Sequence, residues 1–308
     1  MTLPTMTRRQ SLNRGGRVDS ANEAGSAATA PGVRPLLDIR DVEVRMGRRA
    51  ILNDINLSVG DGDFIGLIGA NGAGKTTLMR AILGDITPSR GDIRILGQHR
   101  ARMGMIGYVP QKIELEADLP IRAKDLVALG LDGQRVGFGM RGASFWKQVD
   151  HAMRGVGAGD FADRPVGRLS GGQQQRVLIA AAIVANPRLL LLDEPLANLD
   201  PANTDDIIAL LDSIRRERGI SIILSAHDIN PLLGVLDHVV YLAEGRSAIG
   251  ATDEVIRSDT LSRLYRHHIE VLHVDGRVMV MTGQNSHAHA GDERRTVPGR
   301  GEGADDAG

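Results

Sequence analysis

The stretch Gly69–Thr77, "GANGAGKTT", fits the pattern G-x-x-x-x-G-K-[ST] and lies between the apolar run "DFIGLI" and the helical "LMRAIL". A strand, a glycine-rich loop and a helix are the context that this pattern requires. Glycines let backbone N–H groups surround a phosphate chain, and the N-terminus of the helix attracts the same anion. The pattern therefore predicts an ATP phosphate site formed by Gly69, Ala70, Asn71, Gly72, Ala73, Gly74, Lys75, Thr76 and Thr77.

Strand and helix patterns alternate on both sides of this loop. "LLDIRDVEVRM" and "AILNDINLSV" alternate like strands of an antiparallel sheet, "GDIRILG" predicts another strand, and "RMGMIGYVPQ" predicts a strand that ends at Pro110. Residues 112–187 have mainly helix and loop patterns. A buried strand "LLLLDEP", a helix that stops at Gly219, a strand "ISIILSAH", a helix starting in "DINPLLGVL" and a strand "HVVYLAEG" follow. This order predicts an α/β fold with a mostly parallel sheet.

Polar side chains follow two of the buried strands. "LLLLDEP" ends in Asp193 and Glu194, and "ISIILSAHD" is followed by His227. In open α/β sheets, ligands bind at the carboxyl ends of the strands. We therefore predict that Asp193 holds Mg²⁺, together with the Thr76 hydroxyl, that Glu194 polarises the attacking water, and that His227 contacts the γ-phosphate. Lys75 is expected to reach the β- and γ-phosphates.

Composition limits the remaining possibilities. The 308 residues carry a formal net charge of −1 and no cysteine, which argues against nucleic-acid binding and excludes thiolate metal sites. No apolar run approaches the roughly 20 residues of a membrane span. We expect residues 1–34 and 284–308 to be disordered tails, and Asp275-Gly276 to form the turn of a β-hairpin at 269–283.

The motif order resembles the ATP-binding subunits of ABC transporters. The resemblance covers roughly residues 36–268 and is carried by the phosphate loop, "YVPQ", "LSGGQQQR", "LLLLDEP", "LANLD" and "SAHD". It implies a P-loop NTPase of the ABC type over 35–268, with an antiparallel β subdomain and a helical subdomain at about 112–187. ATP and Mg²⁺ are the implied cofactors.

The resemblance also implies a dimer, because ABC-type domains pair head to tail around two ATP molecules. Ser170, Gly171, Gly172 and Gln173 of "LSGGQ" would face the ATP of a second copy of this chain, with Asp200 at the dimer seam. Gln111 resembles the glutamine that contacts Mg²⁺ and signals to the membrane subunit. Met46 stands where the family usually has an aromatic that stacks on adenine, so we expect the phosphates to dominate affinity.

The implied setting is the cytoplasmic face of the cell membrane, where integral membrane permease subunits and an extracellular solute-binding protein would complete the system. "KIELEADLPIRAKDLVALGL" is where the family docks the permease. "DLPIRAKDLVALG" resembles the manganese and zinc importers, although Arg122-Ala123-Lys124 departs from their usual pattern. Another cargo, such as an iron chelate or an amino acid, and a non-transport ABC ATPase remain as alternatives. His267, His268, His273, His287 and His289 lack metal-ligand spacing.

Overall fold

The computed structural model describes residues 34–99, 101–111, 120–132 and 141–282. Near the start, an antiparallel sheet has the strand order β2-β1-β4, formed by β1 (Leu37–Met46), β2 (Arg49–Val59) and β4 (Arg90–Ile95). Buried and exposed residues mostly alternate along β1, because successive side chains of a strand point to opposite faces. This sheet is the predicted antiparallel β subdomain.

A second, mixed sheet carries the strand ends where the site was predicted. Its order is β5-β6-β7-β3-β8-β9, with β3 (Phe64–Ile68), β5 (Ile106–Val109), β6 (Leu189–Leu192), β7 (Ser221–Ala226), β8 (His238–Ala243) and β9 (Arg246–Gly250). The first five strands of this order are parallel, and β9 pairs with β8 in the antiparallel direction. The predicted mostly parallel sheet is confirmed, whereas the sequence patterns did not reveal β9.

Helices surround the mixed sheet. They are α1 (Lys75–Leu83), α2 (Ala123–Asp132), α3 (Ala143–Gly155), α4 (Gly171–Ile183), α5 (Pro201–Arg218), α6 (Thr252–Val255) and α7 (Ser258–Tyr265). The predicted stop of α5 is confirmed, since Gly219 follows it in the left-handed conformation that glycine adopts readily. Helices α2, α3 and α4 make up the helical subdomain. Within the described residues, no helix is both long and apolar enough to cross a membrane.

Two cores lie on opposite faces of the mixed sheet. Leu189, Leu191 and Ile223 pack with the antiparallel sheet and α1, whereas Leu190 and Leu192 pack with the helices on the other side. Four consecutive leucines are buried in β6 because both faces of a central parallel strand are covered. This burial fixes the position at which β6 delivers its carboxylates.

One predicted element was wrong. "DINPLLGVL" does not begin an α-helix; it contains a short 3₁₀ turn at Asn230–Leu232. Pro231 lies in the first turn, where proline is tolerated, but Gly234 follows two residues after the turn, and glycine disfavours continuation as an α-helix. The predicted hairpin is confirmed, with β10 (Ile269–Val274) and β11 (Arg277–Thr282) joined at Asp275-Gly276. Of the expected tails at 1–34 and 284–308, residues 1–33 and 284–308 lie outside the described residues, as do residues 112–119 of the segment "KIELEADLPIRAKDLVALGL". The domain boundaries stay predictions.

Candidate ATP site

The glycine-rich loop connects β3 to α1 as predicted. Gly74 precedes α1 at φ 108°, and a Cβ placed there would lie 2.7 Å from Leu52 Cδ2 of β2. Glycine is therefore required for both the backbone conformation and the packing of the loop on the antiparallel sheet. Thr76 and Thr77 occupy the first turn of α1, where backbone N–H groups are free of intrahelical partners.

Lys75 is buried at the centre of the site and is 4% exposed. Its ammonium donates to the backbone oxygens of Gly69, at 2.7 Å, and Ala70, at 3.3 Å. The Glu194 carboxylate, whose Oε1 lies 3.2 Å from Nζ, supplies the opposite charge. A buried ammonium needs such partners, because the loss of hydration is otherwise costly. The contact shows that the phosphate loop and the end of β6 meet.

Gln111, which follows β5, joins the same group of side chains. Its Nε2 donates to Glu194 Oε2 at 2.8 Å. Glu194 has a φ of 50°, a conformation that is uncommon for a residue with a side chain and is often found at functional sites. Lys75, Gln111 and Glu194, which are far apart in the sequence, are therefore brought together around one carboxylate.

Asp193 is 1% exposed, and its two carboxylate oxygens differ. Oδ1 accepts a hydrogen bond from the Ser225 hydroxyl at 2.7 Å, whereas Oδ2 is buried and has no hydrogen-bond partner in the described chain. A buried carboxylate oxygen without a partner is costly unless it binds a cation. The donor set of Asp193, Thr76 and Gln111 consists of oxygen atoms, which Mg²⁺ prefers. These residues fit the ion that the sequence predicted.

The negative charge at this edge also affects a neighbour on β5. Burial, and secondly the carboxylate of Asp193, raise the pKa of Tyr108 above its ordinary value. His227 follows β7 and is exposed, and Met46 ends β1 with 52% of its surface exposed. Neither side chain hydrogen-bonds to another described residue, so their proposed contacts with phosphate and adenine stay predictions.

The signature segment forms the N-terminus of α4. Ser170 Oγ accepts from the Gln173 N–H at 3.3 Å, and Gln173 Oε1 accepts from the Ser170 N–H at 3.1 Å, which is a capping box. Ser170 and Gly171 are exposed, whereas Gly172 is buried. A Cβ on Gly172 would lie 2.5 Å from Asn203 Oδ1. A side chain at the second glycine would therefore require Asn203 to move within the same chain.

Asp200 is exposed and caps α5. Its Oδ1 accepts from the Asn203 N–H at 2.9 Å, and its Oδ2 accepts from Asn203 Nδ2 at 2.5 Å. These hydrogen bonds, led by the one from the Asn203 backbone, hold the pKa of Asp200 below its usual range. The Asn203 side chain thus contacts both the signature helix at Gly172 and the residue expected at the dimer seam.

Comparison with known proteins agrees with this geometry. The model of the family described as ABC transporter matches residues 52–197. The zinc import ATP-binding protein ZnuC of Halorhodospira halophila is 35% identical, over 76% of this chain and 85% of that protein. The chain belongs to the ATP-binding subunits of ABC transporters. Proteins of this family hydrolyse ATP, so the chain is an ATPase.

Two further matches support the ABC assignment. The manganese transport system ATP-binding protein MntB of Bacillus subtilis is 35% identical, over 74% of this chain and 92% of that protein. The solved structure of cbiO1 from Clostridium perfringens, part of the ABC transporter complex cbiONQ, is 29% identical with a TM-score of 0.64. It covers 74% of this chain and 93% of that chain.

Sequence reasoning missed two residues of this ABC ATPase site. Ser225 bonds to Asp193, and Asn203 packs against the signature helix. The signal for Ser225 was visible, because "SIILSA" places two serines four residues apart in an otherwise apolar strand. No comparable signal existed for Asn203, since an asparagine in the first turn of a helix is common in many proteins.

Proposed function

We propose that this ABC ATPase drives the import of a divalent metal, manganese or zinc, through separate permease subunits. The observation that carries the ATPase part is the convergence of Lys75, Gln111 and Glu194, with Asp193 beside them. The metal cargo is supported by the two relatives named above, which are described as zinc import and manganese transport proteins. An importer of another cargo is the alternative.

The contacts suggest how ATP organises the site. The triphosphate competes with Glu194 for the ammonium of Lys75, because phosphate oxygens are strong acceptors near the loop. Glu194 is then free to accept a proton from the attacking water, and Gln111 keeps its carboxylate in place. Lys75 stabilises the negative charge that develops on the transferred phosphoryl group. His227 is proposed to orient the water or the γ-phosphate.

Asp193, Thr76 and Gln111 are the residues proposed to hold Mg²⁺. When bound, the ion would neutralise charge on the β- and γ-phosphates. Because Asp193 Oδ1 is already bonded to Ser225, Oδ2 is the oxygen that would be available to hold the ion.

A second copy of the chain is proposed to complete each site. The N-terminus of α4 presents Ser170 and Gly171 to the outside, and a helix N-terminus favours an anion such as a phosphate. In a head-to-tail dimer this end would meet the γ-phosphate held by the loop of the other copy. Asp200 lies at the start of the following helix, on the seam that this arrangement predicts.

The permease is proposed to dock beside the helical subdomain. A groove lies between the end of β5 and helices α2 and α4, and its lining includes Met103, Tyr108, Leu126, Leu129 and Leu178. Met103 and Leu129 are 67% and 51% exposed, and exposed apolar groups of this kind often mark interaction sites. We propose in addition that the chain works on the cytoplasmic face of the membrane and that an extracellular solute-binding protein supplies the permease.

Cellular metal uptake tests the cargo. Cells that express either the wild-type chain or Lys75→Ala are compared for uptake of isotopic manganese, zinc and iron, and for total metal content by mass spectrometry. Loss of manganese or zinc uptake alone in the variant supports the proposal and identifies the cargo. Unchanged uptake of both metals would reject the metal cargo and leave the ATPase assignment in place.

The role of Glu194 is tested by hydrolysis with the purified protein. Glu194→Gln keeps the size of the side chain and removes the base, so we expect turnover to fall by about 10²-fold or more with ATP binding retained. Gln111→Glu is a useful partner variant, since it places like charge beside Glu194. A Glu194→Gln protein with wild-type turnover would show that the assigned role is wrong.

A further inference from the structure

Strand β7 contains two buried serines in an otherwise apolar sequence. Ser221 and Ser225 are both 0% exposed. They lie on the same face of the strand, because side chains separated by an even number of residues share a face. Burying a hydroxyl lowers the stability of the fold unless the group both donates and accepts a hydrogen bond. Each serine therefore needs a specific reason for its position.

The hydroxyl of Ser225 connects the two acidic residues of the site. It donates to Asp193 Oδ1 at 2.7 Å and accepts from the Glu194 backbone N–H at 2.8 Å. Sheet geometry explains the contact: Leu192 pairs with Leu224 at the end of the ladder, so Ser225 stands next to Asp193. Since a hydroxyl has a single proton, its donor is committed to Asp193.

The consequences fall on both acidic residues. Holding Oδ1 fixes the rotation of the Asp193 carboxylate and leaves the buried Oδ2 as the oxygen available to a cation. Holding the N–H of Glu194 supports its backbone at φ 50°, which directs the carboxylate toward Lys75 and Gln111. A single hydroxyl thus determines the orientation of both groups.

We propose that Ser225 is a positioning residue for the ATPase reaction, which aligns Asp193 toward Mg²⁺ and Glu194 toward the attacking water. The inference rests on the proposed roles of Asp193 and Glu194. Partners that orient metal ligands typically contribute 10- to 100-fold to metal affinity or activity. Ser225 would act through its hydrogen bonds, without touching the nucleotide.

Ser221 provides a matched control within the same strand. Its hydroxyl is equally buried and also bridges two groups, donating to the Gly60 oxygen at 2.8 Å and accepting from the Gly62 N–H at 2.8 Å. Those partners lie at the opposite end of β7, away from the phosphate loop. Loss of the Ser221 hydroxyl should therefore destabilise the fold in a similar way without altering the site.

The experiment uses the full chain and compares Ser225→Ala, Ser225→Thr and Ser225→Val with Ser221→Ala. Three quantities are measured: kcat and KM for ATP hydrolysis, the affinity for a fluorescent ATP analogue without metal, and the increase in that affinity on adding Mg²⁺. Threonine and valine have nearly the same shape and differ mainly in the hydroxyl. Because both side chains crowd the strand to the same extent, a difference between these two variants reports the effect of the hydroxyl.

We expect Ser225→Ala and Ser225→Val to lower kcat by about 10-fold or more. The Mg²⁺ concentration that gives half of the maximal increase in analogue affinity should rise by a similar factor. Analogue affinity without metal should stay within about 2-fold, and Ser225→Thr should recover most of the Mg²⁺ response. Ser221→Ala should lower thermal stability only. If Ser225→Ala does not fold, the comparison of threonine with valine decides the question.

Two results would overturn the proposal. One is a wild-type Mg²⁺ response in Ser225→Val; the other is an equal loss of kcat in Ser221→Ala and Ser225→Ala. Glu194→Gln, measured in parallel, separates this inference from the proposed function. An inactive Glu194→Gln with a normal Ser225→Val rejects only the role of Ser225, whereas an active Glu194→Gln rejects the catalytic assignment itself.

Discussion

Alanine substitution at the two adjacent glycines of the signature should have different effects on stability. A Cβ at Gly171 would meet Leu199 Cδ2 at 3.8 Å, an ordinary contact, whereas a Cβ at Gly172 would lie 2.5 Å from Asn203 Oδ1 and 3.0 Å from its Cγ. Both residues lie in the first turn of α4, where replacing glycine by alanine stabilises a helix by up to about 1 kcal/mol.

The contact at Gly172 offsets that gain. To make room, the partly exposed Asn203 amide must rotate and give up its hydrogen bond to Asp200, which typically costs about 0.5–1.5 kcal/mol. Gly171→Ala should therefore be neutral or stabilised by up to about 1 kcal/mol. Gly172→Ala should be less stable than Gly171→Ala by about 0.5–1.5 kcal/mol, a difference of a few degrees in Tm.

Thermal and urea unfolding of the two purified variants measure this difference. A fluorescent ADP analogue serves as the control: it lacks the γ-phosphate that the signature is proposed to meet, and the phosphate loop is intact in both variants, so its affinity should not change. Equal stability of the two variants would refute the packing argument. It would also mean that Asn203 moves freely and that both glycines are required only by the partner copy.

Two further predictions concern the surface of the molecule. A hydrogen bond from Lys124, and secondly the positive charges of Lys124 and Arg122, hold the pKa of Asp163 below its usual range. Its stabilising contribution is therefore present above the ordinary aspartate pKa of about 3.9 and is lost as pH falls through the lower folded value. Asp163→Asn should lower Tm at pH 7, with a difference from wild type that shrinks below about pH 4; a constant difference across this range would contradict the assignment. Met46→Tyr should strengthen ATP binding by about 0.5–1.5 kcal/mol, or roughly 2- to 10-fold, if the ring stacks on adenine. Competition between ATP and nucleotides with other bases measures this, and equal strengthening for every base would point to a general packing effect.

Local patterns were sufficient for most of the fold. The loop at Gly69–Thr77, the leucine strand before Asp193 and the Asp275-Gly276 turn each carry a strong local signal, because glycine geometry and burial act within a few residues. Strand β9 and helices α6 and α7 gave weaker signals, since they are short and depend on tertiary packing: β9 and α6 pack against β8, and α7 packs against β9 and β10. The 3₁₀ turn after Ile229 was mistaken for a helix start because its apolar spacing resembles one.

The site was predicted as a set of residues, but its internal contacts were not. Motifs indicated Lys75, Asp193 and Glu194 separately, whereas the ion pair between Lys75 and Glu194 depends on the order in which β6, β7 and β3 lie in the sheet. That order is a property of the whole chain. The role of Gly172 is similar, because its neighbour Asn203 belongs to a different helix.

One amide side chain of the ATPase core makes two hydrogen bonds to the backbone of the C-terminal hairpin. Asn230 Nδ2 donates to the Val278 oxygen at 2.9 Å, and Asn230 Oδ1 accepts from the Val278 N–H at 2.7 Å. Ile269 and Val278 are also buried in the core that includes β6. Ending the chain at residue 268 would remove two apolar side chains from that core. It would also leave the Asn230 amide without its backbone partner, and Asn230 lies three residues after His227. Truncation at residue 268 would therefore alter the ATPase core itself. A loss of turnover in the truncated protein would not show that the hairpin has a separate function.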